Sequence, residues 1–147
     1  MSVVLGFAAK LYRNNGSYAV PDWVEMDNVK ECKLTLSGVE IDVTTRGGGG
    51  YQQTEPGLID ANLEFGINWD TSDENFTALQ AAFLARTSLD VLALDGAYTV
   101  AGSQGLRMTA KVTKFDRDEP VAGILATSVT MRPCIADNSP EWYTATT

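Results

Sequence analysis

Glu40, Asp42, Asp60 and Glu64 come nearest, by type and spacing, to residues that could do chemistry. A pair of carboxylates can divide acid and base roles when their surroundings push the two pKa values apart. Here all four fall on the polar side of strongly alternating segments, where nothing apolar interrupts them. A solvated surface is the expected setting, and catalysis is not. The chain has no histidine, which removes Ser-His-Asp and Cys-His activation and the usual zinc sites. Asp70, Asp73 and Glu74 lack the glycine and the twelve-residue spacing of a calcium loop, so helix capping accounts for them better. Gly47–Gly50 is not followed by Gly-Lys-Ser/Thr, so it is no phosphate loop. The sequence therefore points to no enzyme, no cofactor and no metal.

The segments around these residues are mostly β in pattern. Cys32, Leu34 and Leu36 alternate with Lys33 and Thr35, and Val39, Ile41 and Val43 alternate with Glu40, Asp42 and Thr44. Ser37-Gly38 between them predicts a two-residue hairpin turn. In that register Leu36 faces Val39, Leu34 faces Ile41 and Lys33 faces Asp42. Leu63, Phe65, Ile67 and Trp69 form one face of a third strand, Leu58 to Trp69. These apolar faces are expected to form the core together.

One helix is predicted from Asp73 to Arg86. Asp70, Thr71 and Ser72 are cap candidates, and Phe76, Leu79, Ala82 and Phe83 share a face. Asp95-Gly96 predicts a turn joining Asp90–Leu94 to a strand at Ala97–Ala101. Strands over Leu106–Val112 and Val121–Met131 follow, the last with Leu125, Val129 and Met131 inward. The fold class is mainly β, a sandwich or partial barrel with one flanking α-helix.

The 147 residues fit one domain, 44% hydrophobic and 20% charged. A net charge of −8 argues against electrostatic grip on nucleic acid, which needs Lys and Arg to neutralise phosphates. Met1 to Ala9 is apolar but has no basic residues before it, so no secretory leader is expected. No apolar run reaches the ~18 residues of a membrane span. Neither Cys32 nor Cys134 belongs to a Cys-x-x-Cys pair, and Cys32, in phase with Leu34 and Leu36, is expected as a buried reduced thiol.

Three segments fit no strand. Residues 1–22 read as an N-terminal arm, 46–57 as a Gly-rich loop, and 135–147 as a polar C-terminal tail carrying Trp142 and Tyr143. The loop residues Gly47, Gly48, Gly49, Gly50, Tyr51, Gln52, Gln53, Thr54 and Glu55 are costly to order alone, so the loop either stays mobile or is ordered by a partner. Edges and loops completed by copies of the same chain would explain all three, since closed symmetry removes open sheet edges.

The order of parts resembles the major tail tube proteins of long-tailed, non-contractile phages. The likeness runs through Trp23-Val24-Glu25-Met26, then Glu40-Ile41-Asp42-Val43-Thr44-Thr45-Arg46. It continues through Gly57-Leu58-Ile59-Asp60, Trp69-Asp70-Thr71, a helix with Phe76, Ala78 and Leu79, and Met131-Arg132-Pro133. The resemblance implies a virion structural protein of the tail, assembled in the host cytoplasm. It implies hexameric rings whose inner strands join one continuous β-barrel, stacked into a tube. Its implied partners are further copies, a tape measure protein, and tail terminator and distal tail proteins. DNA would pass without specific binding, and no membrane is involved. Contractile-tail tubes and the type VI secretion tube share the architecture. On this reading Glu31, Lys33, Glu40, Asp42, Asp60 and Glu64 face the lumen, and the Gly-rich loop bridges subunits or rings. The competing reading is a β-sandwich that binds carbohydrate or protein, with Tyr51, Tyr98, Trp142 and Tyr143 as its aromatics.

Overall fold

The computed structural model describes residue 3 and residues 5–146. Residues 1, 2, 4 and 147, which belong to the expected arm and tail, lie outside the described residues. The strands are β1 (Lys10–Asn14), β2 (Trp23–Glu25), β3 (Val29–Asp42), β4 (Thr54–Asn68), β5 (Ser88–Leu94), β6 (Gln104–Asp118), β7 (Ala126–Pro133) and β8 (Glu141–Thr144). They form a single antiparallel sheet in the order β2-β1-β5-β6-β7-β4-β3, with β8 also on β6. One helix, α1 (Glu74–Ala85), covers the apolar face among the described residues.

The helix begins and ends close to its expected bounds. Asp73 caps it by accepting from the Asn75 backbone N–H. Arg86 ends it at φ 59°, and Thr87 N–H reaches back to Ala82 O at 3.0 Å. Phe76 meets Trp69 edge-on at 4.8 Å, and Phe83 stacks on Phe115 at 6.0 Å. With Leu63, Leu79, Met108, Val129 and Met131 these form the main core. Full burial of each such side chain stabilises by roughly 1.5–3 kcal/mol.

A second cluster lies on the other face of the sheet, made by Tyr12, Trp23, Leu92 and Leu94 with Tyr143 packed against it. Neighbouring strand residues point to opposite faces. Hence β1 sends Leu11 to the main core and Tyr12 to the second cluster. Part of the expected arm is thus an inner strand, hydrogen-bonded to β2 and β5. The expected polar tail contributes β8, which pairs with residues 104–107 of the same chain.

Two expected turns are corrected. Ser37-Gly38 is no turn: β3 runs unbroken through it, and all of β3 pairs with β4. Asp95-Gly96 does end β5, but Ala97–Ala101 is no strand, and β5 pairs with β6 and β1 instead. Asp95 closes this longer connection by accepting from Gln104 N–H at 2.9 Å. Beside it β5 and β6 approach so closely that a Cβ on Gly105 would sit 1.6 Å from the Ala93 carbonyl oxygen. Gly105→Ala is therefore expected to destabilise at or above the top of the usual ~0.5–3 kcal/mol range, read by urea denaturation. An unchanged midpoint would mean the strands can part there freely.

Candidate assembly surfaces

The main feature outside the core is the ribbon made by β3 and β4. Its inner half is anchored by β4, where Ala61, Leu63, Phe65 and Ile67 are buried. Leu34 and Trp69 are only partly buried. The outer half, residues 36–59, projects beyond β7 with no buried side chain. The expected core residues Leu36, Val39, Ile41 and Val43 are accordingly exposed, and so is Cys32 in the inner half.

Register explains why. Cys32 pairs with Phe65, Leu34 with Leu63 and Leu36 with Ala61. Between Gly38 and Glu40 the partner jumps from Ile59 to Pro56, so β4 carries the extra residue of a bulge and β3 keeps its alternation. The apolar residues of β3 change phase there. Leu34 and Leu36 point to the core side, but Val39 and Ile41 point to the opposite side. Ile41 lies over Gly57, where an added Cβ would come 3.0 Å from Ile41 Cδ1.

The six residues expected on one polar face separate for the same reason. Glu31, Lys33, Asp60 and Glu64 share a face, with Lys33 opposite Glu64 and Asp60 opposite Ser37. Glu40 and Asp42 have the other parity, and Lys33 does not face Asp42. The shared face continues across β7 and the end of β6 through Ser128, Thr130, Arg132 and Lys114. Arg132 pairs with Asp60, and Lys114 lies 3.1 Å from Asp116. The face is therefore polar and of mixed charge; Lys114 and Arg132 are ion-paired, whereas Lys33 and the exposed Lys111, which lies opposite Arg132, are in no salt bridge among the described residues.

The tip of the ribbon holds Gly47, Gly48, Gly49, Gly50, Tyr51, Gln52 and Gln53, whereas Thr54 and Glu55 already belong to β4. Gly49 and Gly50 have φ of 69° and 87°, which glycine adopts without strain. The tip has its own hydrogen bonds. Gln53 N–H donates to Thr44 Oγ1 at 2.9 Å, and Val43 N–H to Gln53 O at 3.0 Å. The Thr44 hydroxyl and backbone N–H both donate to Asp42 Oδ1, at 2.6 and 2.9 Å, and hold the Asp42 pKa below its ordinary 3.8. A lowered carboxylate pKa favours the ordered tip above the unfolded value and loses that contribution as pH falls through the folded one. The Thr44 amide resonance is expected to titrate with a midpoint below 3.8, and Asp42→Asn to remove the step. A midpoint at or above that value would refute the assignment.

Sequence reasoning missed a buried polar network on the second face. Arg107 Nη2 lies 2.7 Å from Asp90 Oδ2, with the two side chains only 8% and 12% exposed. Arg107 also donates to Tyr18 O at 2.8 Å, and its guanidinium stacks 3.7 Å from the Tyr18 ring centroid and 4.9 Å from that of Trp23. Asn14 Nδ2 donates to Asp90, and the Tyr18 hydroxyl to Glu141 on β8. The network closes the second face of β1, β5 and the start of β6. Among the described residues, the face over β3, β4, β7 and the end of β6 stays open. Arg107 sits in an alternating strand as any exposed residue would, so no local signal marks it.

Among the described residues no three His, Cys, Asp or Glu side chains gather as a metal set. No helix among them is long and apolar enough to cross a membrane.

No family model and no curated protein matches the chain. Solved structures do. A chain in the virion of a native gene transfer agent particle superposes with a TM-score of 0.72 at 10% identity, over 96% of this chain and 99% of that one. A chain of the tail of the empty gene transfer agent particle, refined with C6 symmetry, gives 0.72 at 13% identity, over 91% and 96%. The SPP1 tail tube gives 0.70 at 13% identity, over 88% of this chain and 75% of that one. These likenesses run over most of this chain, and its fold is the tail-tube fold.

Proposed function

We propose that this chain is the structural subunit of a phage-type tail tube, six copies to a ring, with the rings stacked around a channel that passes DNA. The observation that carries the reading is the near end-to-end likeness to tail and tail-tube chains, one of them in an assembly with C6 symmetry. The open polar face supports it. Glu31, Lys33, Asp60 and Glu64 lie on that face and are the candidates for the lumen; Glu40 and Asp42 are not. DNA adheres where free Lys and Arg release counterions from phosphate. On this face Arg132 and Lys114 are held by Asp60 and Asp116, and Lys33 stands opposite Glu64. With two of its four cations, Arg132 and Lys114, already ion-paired, the face would grip a phosphate backbone less than its count of basic residues suggests.

The outer edge of β3, which has no partner strand among the described residues, supports the reading too. It offers a long row of backbone groups that a neighbouring copy would pair. Virion tail location and the further tail proteins as partners belong to the same proposal.

Negative-stain microscopy of the purified chain over a concentration series, with size-exclusion chromatography beside it, tests the proposal. Hollow tubes or stacked six-fold rings are expected. Monomers at every concentration, with affinity for a glycan or a protein ligand, would overturn it in favour of a binding module.

A further inference from the structure

Asn15-Gly16 is the only Asn-Gly pair in the chain, and it has a chemistry of its own apart from assembly. The side-chain amide of an asparagine is open to attack by the backbone nitrogen of the next residue, and a glycine there puts no Cβ in the way. Asn15 is exposed, so water reaches its amide. The pair opens the segment 15–22, which crosses the second face and lays Tyr18 on Arg107.

The fold holds the attacking nitrogen back. Gly16 N–H donates to Asn14 Oδ1 at 2.8 Å. The same oxygen accepts Asp22 N–H at 2.9 Å, and Asn15 N–H donates to Asp22 O at 2.8 Å. Asn14 is itself buried, and its Nδ2 donates to Ser17 O and to Asp90 Oδ2, both at 3.0 Å. Both ends of the segment are thus tied to one side chain, and that side chain to the Asp90–Arg107 pair. To attack, the Gly16 nitrogen must lose its proton and turn towards Asn15 Cγ. Each of these breaks its bond to Asn14. Surface segments open at a lower free energy than the whole domain, so opening of 15–22 sets the pace.

We propose that Asn15 is a site of spontaneous modification, at which the Gly16 backbone nitrogen converts the amide to aspartate and isoaspartate, and that the Asn14 clasp times the reaction. The bond from Gly16 N to Asn15 Cγ forms and the Cγ–Nδ2 bond breaks. The amide leaves as ammonia, with the proton that Gly16 gave up. Water then opens the cyclic imide at either carbonyl, leaving aspartate or isoaspartate. The isoaspartate product lengthens the backbone by a methylene between the Asn15 and Gly16 hydrogen bonds. The turn has no slack for it, because a Cβ on Gly16 would already lie 2.7 Å from Val20 O. A segment that has opened and reacted this way does not close again, and Arg107 loses its cover by Tyr18.

Peptide mapping that separates the Asn, Asp and isoAsp forms of residue 15, over days in mildly alkaline buffer, tests the proposal. The samples are the folded chain, the chain unfolded in urea, and folded Tyr18→Ala, which lacks the ring on Arg107 and the bond to Glu141. The unfolded chain is expected to convert roughly tenfold or more faster than the folded one, and Tyr18→Ala several-fold faster. Chymotrypsin cleavage after Tyr18 is expected to grow with the isoaspartate content of the folded chain. It should stay flat in Asn15→Gln, whose longer side chain forms the imide far more slowly. No conversion of residue 15 in any sample would overturn the site. Equal conversion in the folded and unfolded chains would overturn the clasp, and so would a folded Tyr18→Ala that converts no faster than the parent. Cleavage after Tyr18 that ignores the isoaspartate content would overturn the loss of cover. The comparison of folded with unfolded chain and the cleavage series decide the matter even where Tyr18→Ala fails to fold.

Discussion

A chain in which Leu36 is joined to Ala61 through Asn-Gly, with residues 37–60 removed, is expected to fold and to form no tubes at any concentration. Leu36 and Ala61 are register partners, so a two-residue turn can close the shortened ribbon. None of the removed residues has a buried side chain, and the core residues Ala61, Leu63, Phe65 and Ile67 are kept. The one ion pair lost, Asp60 with Arg132, is about half exposed on both sides, and exposed pairs contribute about 0–1 kcal/mol. Thermal denaturation should therefore barely change. Assembly should change completely. The removed segment carries Val39, Ile41, Val43, Leu58 and Ile59, all exposed. Burial of even half of their apolar surface against a neighbour would contribute on the order of several kcal/mol per contact, and each 1.4 kcal/mol is about tenfold in affinity. Tubes of ordinary appearance from the shortened chain would remove the ribbon from the assembly mechanism. An unfolded product would show instead that the ribbon supports the monomer, against its burial pattern.

The same ribbon shows where sequence reading reached its limit. Alternation identified β4 and the strand now seen in β6 because each buries one face, so burial holds the phase. It found α1 for the same reason, with Phe76 and Leu79 at helical spacing. In β3 it misread a change of phase as a turn. Two apolar triplets offset by one residue, Cys32-Leu34-Leu36 and Val39-Ile41-Val43, look the same whether the chain reverses or the covered side changes. Ser37-Gly38 made the reversal the simpler reading. Only the pairing of Gly38 with Ile59 separates the two. That error moved Glu40 and Asp42 onto the face of Glu31 and Lys33, so the expected shared polar face was legible only for Glu31, Lys33, Asp60 and Glu64. Lys10–Asn14 escaped notice for the opposite reason. It buries side chains on both faces, with Leu11 and Arg13 towards α1 and Tyr12 towards the second cluster, so it shows no alternation. Asp95-Gly96 marked a true strand end, but a hydrogen bond to Gln104, nine residues on, carried the chain past the expected partner.

Arg107→Ala is expected to cost more stability than any other single truncation of a polar side chain in the network on the second face, about 3–5 kcal/mol. The reason is what remains. Asp90 would keep its charge at 12% exposure, with Asn14 as its remaining side-chain donor. Removing one partner of a buried pair leaves a desolvated charge, and that costs more than the pair itself contributes. Arg107 also supports Tyr18 and Trp23 through its guanidinium face and binds Tyr18 O. Its loss would free residues 15–22 and weaken the hold on β8 through the Tyr18–Glu141 bond. Arg107→Lys should rescue little, because an ammonium cannot reproduce the planar contacts to Asp90, the carbonyl and two rings at once. For a chain of this size each kcal/mol moves Tm by about 2–4 °C, so a fall of about 10 °C is expected by circular dichroism. The double variant Arg107→Ala with Asp90→Ala should recover part of it, since no buried charge is then left alone. If instead the two losses simply add, the pair carries no coupling and the second face is held by its apolar cluster alone. If the double variant recovers stability, the face opposite α1 is closed at β1, β5 and the start of β6 by a charge pair as well as by its apolar cluster.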